Sequence, residues 1–349
     1  MMNRIAGIAS FMAVMPIILL AAACTSGAGI PDAAVDAGVP VGDSGFDAGD
    51  KSASIAAGVS RENFAGDLSA VAIPREPGSA NWQMVQDMIA GRLKSLGFEV
   101  ERHVYDTGVN VIGVKKGVVE GAKEVMISAH YDHVAGCAGA DDNASGVAGA
   151  LEAARVLGGH EYEKTLVVAF WDEEEKYLVG SRAYAERASE RKEPIAVSIV
   201  FEMIGYRNTN ENSQKMPTGF DYMFPDQCAW LEEHGYRGDF VLLAGDNLAR
   251  GVIADMSSYA GGEELPAVVI ELNKEQKKDP LMYALRRSDH ESFWQFNYPA
   301  IMVTDTADQR NLNYHCKKGP DSVDRLDPDF AVMIVKSAVA AAARLLVTK

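Results

Sequence analysis

Residues 125–146, VMISAHYDHVAGCAGADDNASG, constrain the chain more than any other stretch. An apolar strand, Val125 to Ala129, ends on His130-Tyr131-Asp132-His133. A Gly/Ala-rich loop then delivers Asp141-Asp142-Asn143, and Ala144-Ser145-Gly146 opens the next helix. Hydrophobic strands that run into polar groups at their C-terminal ends are how open α/β sheets commonly build sites. Imidazole plus carboxylate is also a donor set that suits a zinc ion with an open coordination position.

The flanking pattern repeats this plan. Trp82, Val85, Met88, Ile89, Leu93 and Leu96 recur at threes and fours, which predicts a helix over 80–96 that Gly97 ends. Phe98 to Tyr105 alternates as a half-buried strand, and Asn110 to Lys115 reads as a second. Val147 to Leu157 predicts a helix. Thr165 to Trp171 is a continuous apolar run that feeds into Asp172-Glu173-Glu174-Glu175. Leu178 to Ala188 predicts a helix, and Ile195 to Phe201 a buried strand that ends on Glu202. Residues 207–225 read as a surface loop. Strands are expected at 239–244, 267–272 and 299–304, with helices near 246–259, 288–294 and 327–346. Alternating strands and helices imply an α/β sheet covered on both faces.

With 349 residues and 48% hydrophobic content, the chain can bury a large core. A formal net charge of −16 argues against nucleic-acid partners, whose phosphates it would repel. Residues 1–24 are set apart from the fold: Arg4 precedes an apolar stretch from Ile5 to Leu20, and Ala21-Ala22-Ala23 leads to Cys24. This resembles a bacterial lipoprotein signal in which Cys24 becomes the lipidated first residue, with ordinary secretion as the alternative. The expected location is the cell envelope, with membrane contact only through the lipid, or outside the cell. Residues 25–52, rich in Ala, Gly and Asp, read as a disordered acidic linker, so the folded domain is expected over 53–349.

Several apolar strands thus end in metal-type side chains: His130, the 173–175 Glu run, Glu202 and, beyond a loop, His315. Carboxylates converging on one crevice repel one another unless a cation neutralises them. Two zinc ions that share one carboxylate and take two further ligands each need five residues. His130, Asp142, Glu175, Glu202 and His315 supply five, and Glu174 is left over as a general base.

The motifs HYDH, GADDNASGVA, WDEEEKYLVGS, FEMIGY, SDHESFW and NYH, in this order, resemble the co-catalytic di-zinc aminopeptidase family that includes the bacterial leucyl aminopeptidases. The resemblance covers residues 60–347 or so. It implies a single zinc-exopeptidase domain with a central mixed, mostly parallel sheet sandwiched between helices. It also implies that His130, Asp142 and Glu202 hold one zinc and that Asp142, Glu175 and His315 hold the other. A hydroxide between the metals would attack the scissile carbonyl of a peptide substrate, with Glu174 shuttling the proton. Asp132 would orient His130, and Tyr314 matches a position that in some members stabilises the oxyanion. Members also show a cis bond at the position of Asp142-Asn143. The family usually has Asp where Glu202 stands, often has Gly where Asn297 stands, and places a carboxylate nearer the last His than Asp321. The rivals are a single-zinc glutaminyl cyclase, a carboxypeptidase-type exopeptidase, and a non-catalytic receptor or binding domain on the same fold.

Other residues read more plainly. His103, His160 and His234 are expected at the surface, and Asp289 and His290 in the pocket wall. His133 is expected near the metals but outside the ligand set. Arg310 is expected in a loop salt bridge, with a substrate carboxylate as its alternative partner. Cys137 and Cys316 lie in loops that should meet at the metals, which makes a disulfide between them a candidate. Oligomeric state is not legible in the sequence.

Overall fold

The computed structural model describes residues 50–347, so the expected signal segment, Cys24 and the linker up to residue 49 lie outside the described residues. The first helix, α1 (Lys51–Ala56), starts two residues before the expected boundary because the Asp50 carboxylate caps it, accepting from the Ser52 N–H at 2.8 Å. Helix α2 (Arg61–Val71) is capped by Ser60 and helix α3 (Ala80–Ser95) by Ser79. The chain continues as β1 (Glu99–Val104), β2 (Val109–Lys115), β3 (Glu124–His130), α4 (Gly146–Gly158), β4 (Thr165–Trp171), α5 (Val179–Arg191) and β5 (Ile195–Glu202). It closes with α6 (Phe220–Met223), α7 (Pro225–Glu233), β6 (Val241–Asp246), α8 (Arg250–Gly262), β7 (Ala267–Leu272), α9 (His290–Gln295), β8 (Ala300–Thr304) and α10 (Pro328–Val347).

The eight strands form one sheet in the order β1-β2-β4-β3-β5-β8-β6-β7. Its centre, β4-β3-β5-β8, is parallel throughout, while β1 and β2 join antiparallel at one edge and β6 pairs antiparallel with β8. Alternation along the central strands divides the core. Val125, Ile127 and Ala129 face the cluster built on α1–α4, α8 and α10, whereas Met126, Val167 and Trp171 face the cluster built on α5, α7 and α9. The sheet is therefore mixed and covered on both faces.

Two expectations need correction. The stretch read as a loop, 207–225, contains α6 and the start of α7, and it buries Phe220 and Phe224. His103 is buried rather than superficial. Its ring lies 6.0 Å from Tyr184 of α5, and its Nδ1 is 3.1 Å from the Asn110 amide.

Candidate metal centre

The parallel order of β4, β3, β5 and β8 gathers their C-terminal ends along one edge. His130 closes β3, Asp172 to Glu175 follow β4, and Glu202 closes β5. Asp142 sits in the turn that opens α4, and His315 on the loop after β8. All five expected ligands meet there. Asp142 lies at the middle. Its Oδ1 is 3.3 Å from His130 Nε2, which lies 3.5 Å from Glu202 Oε2. Its Oδ2 is 3.3 Å from His315 Nε2, which lies 3.0 Å from Glu175 Oε2. One carboxylate thus faces two donor groups, one with each oxygen.

The loop that carries Asp142 is clamped on several sides. The Asp142-Asn143 peptide bond is cis. Asn143 donates to the Phe201 carbonyl at 2.9 Å and accepts from the Met203 N–H at 3.0 Å, which ties the turn to the end of β5. The Asp321 carboxylate accepts from the N–H groups of both Asp141 and Asp142 at 3.1 Å. Gly139 has a left-handed backbone, φ 56°, and a Cβ there would lie 2.3 Å from the Asp142 carbonyl oxygen, so no other residue fits.

Sequence reasoning missed Arg75. It is fully buried and donates to the carbonyls of Tyr131 at 2.8 Å, Ala138 at 2.6 Å, Gly139 at 3.0 Å and Asp142 at 3.4 Å. Burial lowers its pKa to about 10, against the upward pull of Asp142, Asp132 and Asp321. An Arg between two Pro residues carries no sequence signal for burial.

Asp132 holds both sides of the site at once. Its Oδ1 lies 3.4 Å from His130 Nδ1, which leaves Nε2 pointing at the cluster. The same carboxylate accepts from the N–H of Glu174 at 3.0 Å and of Glu175 at 3.3 Å. Glu174 Oε2 reaches to 3.9 Å from His130 Nε2. Burial, reinforced by Glu202 and Glu175 against the pull of His130, holds the Glu174 carboxyl well above the usual range. Burial would also raise Asp142, but the His130 and His315 imidazoles beside it carry it well below. Glu202, longer than the Asp usual in the resembling family, is gripped by the Ser288 hydroxyl, which donates to Oε2 at 2.6 Å.

His315 has a left-handed backbone, φ 54°, costly for a non-glycine residue. It is pinned on both sides. Tyr314 stacks on its ring at 3.7 Å between centroids, and Cys316 is disulfide-bonded to Cys137 with Cα atoms 5.8 Å apart. His133 comes closer than expected: its Nδ1 is 3.0 Å from Glu175 Oε1, though 4.0 Å from Asp142 Oδ2. His315 lies nearer Asp142, at 3.3 Å from Oδ2. Asp289 and His290 are fully buried, and His290 Nε2 meets the Leu285 carbonyl at 2.8 Å. Arg310 fills neither role expected of it. It is buried and donates to Gln214 and to the Tyr206 and Phe240 carbonyls, where it holds the loop after β8. Asn297 has φ 61°, the left-handed geometry that makes Gly common in the related motif and Asn its nearest substitute.

The donor chemistry fits metal ions. Among the described residues, His130 Nε2, both ring nitrogens of His133, Asp142 Oδ2, Glu175 Oε1 and His315 Nε2 are buried without a hydrogen-bond partner. Such orphaned groups are costly unless a cation or water meets them. His130, Asp142 and Glu202 form one group of close donor atoms, and His133, Asp142 and Glu175 form another.

A mixed α/β sheet whose parallel strand ends meet the Asp142 turn at one edge is the fold of solved aminopeptidase structures. Residues 110–227 match the model of peptidase family M28, so this part of the chain is similar to that family. The uncharacterized protein YfbL of Escherichia coli is 33% identical over 236 residues, covering 62% of this chain and 65% of YfbL. Probable lipoprotein aminopeptidase LpqL of Mycobacterium tuberculosis is 34% identical over 142 residues, 36% of this chain and 28% of LpqL. The chain therefore spans less than two thirds of the length of these relatives. The LapA aminopeptidase structure from Legionella pneumophila superposes with a TM-score of 0.65 at 16% identity, covering 86% of this chain and 76% of LapA, a likeness of fold.

Proposed function

We propose that this chain is a zinc-dependent exopeptidase that removes N-terminal residues from peptides. The observation that carries the reading is the division of Asp142 between two donor groups, with Glu174 beside them. His130, Asp142 and Glu202 would hold one zinc ion, and Asp142, Glu175 and His315 a second. Ions bound there supply Lewis-acid polarisation of a carbonyl and acidify water. Glu174 takes the proton from the attacking water and returns it to the departing amine, a role that its raised pKa suits. Tyr314 donates to the oxygen on which negative charge develops.

The choice of peptide end follows from charge and shape. A cavity beside the cluster is lined by Met216, Phe220, Phe240, Leu285 and Met302, with Glu202 at its polar end. That suits an apolar side chain next to an α-ammonium group, whereas a terminal carboxylate would meet like charge. Of the two cations on this wall, Arg287 is paired with Asp308 at 2.9 Å and Lys215 donates to the Asn212 carbonyl at 3.3 Å. A single-zinc cyclase would use only one of the two donor groups, and a binding domain would have no need for Glu174. Fold alone does not separate these readings. Placement at the cell envelope rests on Arg4, the apolar run and Cys24, in keeping with the similarity to the probable lipoprotein aminopeptidase LpqL.

Hydrolysis of aminoacyl anilides, with and without chelator, tests the reading beside Glu174→Gln. Chelation should abolish turnover, and the substitution should lower kcat by about 10²–10⁴-fold. Dipeptides blocked at one end should be cleaved only when the amino terminus is free. Turnover that survives both treatments would sink the proposal.

A further inference from the structure

Tyr314 does not stand alone at the cluster. Among the described residues, one hydrogen bond reaches its phenol: Arg287 Nη2 donates to it at 3.2 Å. The other arm of that guanidinium, Nη1, donates to Asp308 Oδ1 at 2.9 Å. A guanidinium has no acceptor, so the phenol oxygen must be the acceptor in this contact. Its own hydrogen is then directed away from Arg287. The ring is fixed as well, stacked on His315 at 3.7 Å and 24°, and it lines the same cavity as Glu202.

We propose that Arg287, braced by Asp308, is a positioning residue that fixes the Tyr314 phenol as a hydrogen-bond donor toward the substrate carbonyl oxygen. The inference rests on the exopeptidase reading and adds the side chains that set the direction of the Tyr314 proton. A phenol free to rotate, or able to accept from water, would spend part of its time with the hydrogen turned elsewhere. Accepting from a cation also polarises the O–H bond, which strengthens its donation to an oxyanion. Arg287 acts through Tyr314 and touches no reacting atom.

A double-mutant cycle separates this role from its neighbours. Wild type, Arg287→Met, Tyr314→Phe and the double variant are compared for kcat and KM on an aminoacyl anilide with an apolar side chain. The same proteins are compared for affinity toward a phosphonate analogue of the tetrahedral intermediate and toward the product amino acid. Tyr314→Phe should cost about 10²-fold in kcat, as removal of one oxyanion donor does. Arg287→Met should lower kcat about tenfold with KM within about twofold, and should cost less than about twofold once Tyr314 is already Phe. Phosphonate affinity should fall in parallel while product affinity holds. Arg287→Lys should restore part of the loss, and Asp308→Asn should reproduce part of it; these milder variants carry the test if Arg287→Met unfolds early on heating. Equal tenfold losses in both backgrounds would overturn the inference. So would a rise in KM with kcat retained, which would make Arg287 a substrate-binding group. A wild type inert toward every peptide would remove the exopeptidase reading instead, while phosphonate binding across the cycle would still report on the Arg287–Tyr314 coupling.

Discussion

The Cys137–Cys316 bridge should stabilise the fold and one donor group in particular. It closes a loop with a sequence separation of 179, between the turn before Asp142 and the residue after His315. In the chain-entropy account a loop that long removes about 5 kcal/mol from the unfolded ensemble, and native bridges commonly realise about 2–4 kcal/mol. For a domain of about 300 residues the unfolding entropy near the midpoint is about 0.6 kcal/mol per degree, so the bridge is worth roughly 3–8 °C in Tm. A second effect is local. His315 holds a left-handed backbone between Tyr314 and the bridged Cys316, and without the bridge that geometry loses one of its two anchors. On the proposed two-ion reading, the Cys137→Ser/Cys316→Ser double variant should therefore bind the ion at Asp142, Glu175 and His315 more weakly. The His130, Asp142 and Glu202 group should keep its affinity, since Asp132 and Ser288 hold it from elsewhere. Thermal unfolding followed by circular dichroism and zinc titration by calorimetry read the two effects. A Tm shift under about 1 °C, or equal weakening of both ions, would refute the reasoning.

Two further outcomes follow from buried groups. Arg75→Met leaves several buried carbonyls at the metal loop unpaired and should cost more than about 3 kcal/mol in chemical denaturation, with zinc affinity falling as well. His290 is buried, and burial first, then Lys277, lower its pKa to about 4 against the Leu285 carbonyl. It is neutral in the fold and protonated in the unfolded chain below the ordinary histidine value near 6.5. The unfolded state thus binds more protons, and stability should fall by about 3 kcal/mol as pH drops from about 6.5 to 4. His290→Phe should flatten that slope in urea titrations across the interval.

The centre of the molecule was legible because its strands are continuous apolar runs that stop on charged residues. Thr165 to Trp171 admits no helix-like polar stripe, and the Asp-Glu run after it marks the strand end to the residue. The outer parts were not. Helix α2 buries little beyond Phe64, Leu68 and Val71, and it places Asp67 inward against Arg92 at 2.5 Å, so its inner face does not read as apolar. His103 lies on an edge strand, where alternation alone does not say whether a helix covers the face. Tyr184 of α5 does. Arg75 and Ser288 act through contacts 63 and 86 residues away in sequence, and single-residue chemistry gives no hint of such distance. Asp321 stood out only as a displaced member of a motif, yet it holds the turn that presents Asp142.

The electrostatics of the cluster explain why these outer residues matter. Asp142, Glu174 and Glu202 are buried and Glu175 is partly buried where they converge, and protein groups alone balance them poorly. Arg75, the nearest buried cation, spends its donors on backbone carbonyls. What remains is protonation. Burial works to lower His130 and His315, yet the surrounding carboxylates raise both, His315 to about 9, and Glu174 is raised by burial itself. The carboxylate cluster thus favours positive charge among these donors. The clamps on the Asp142 turn, on Glu202 and on His315 keep the donors in place whichever cation fills the gap between them.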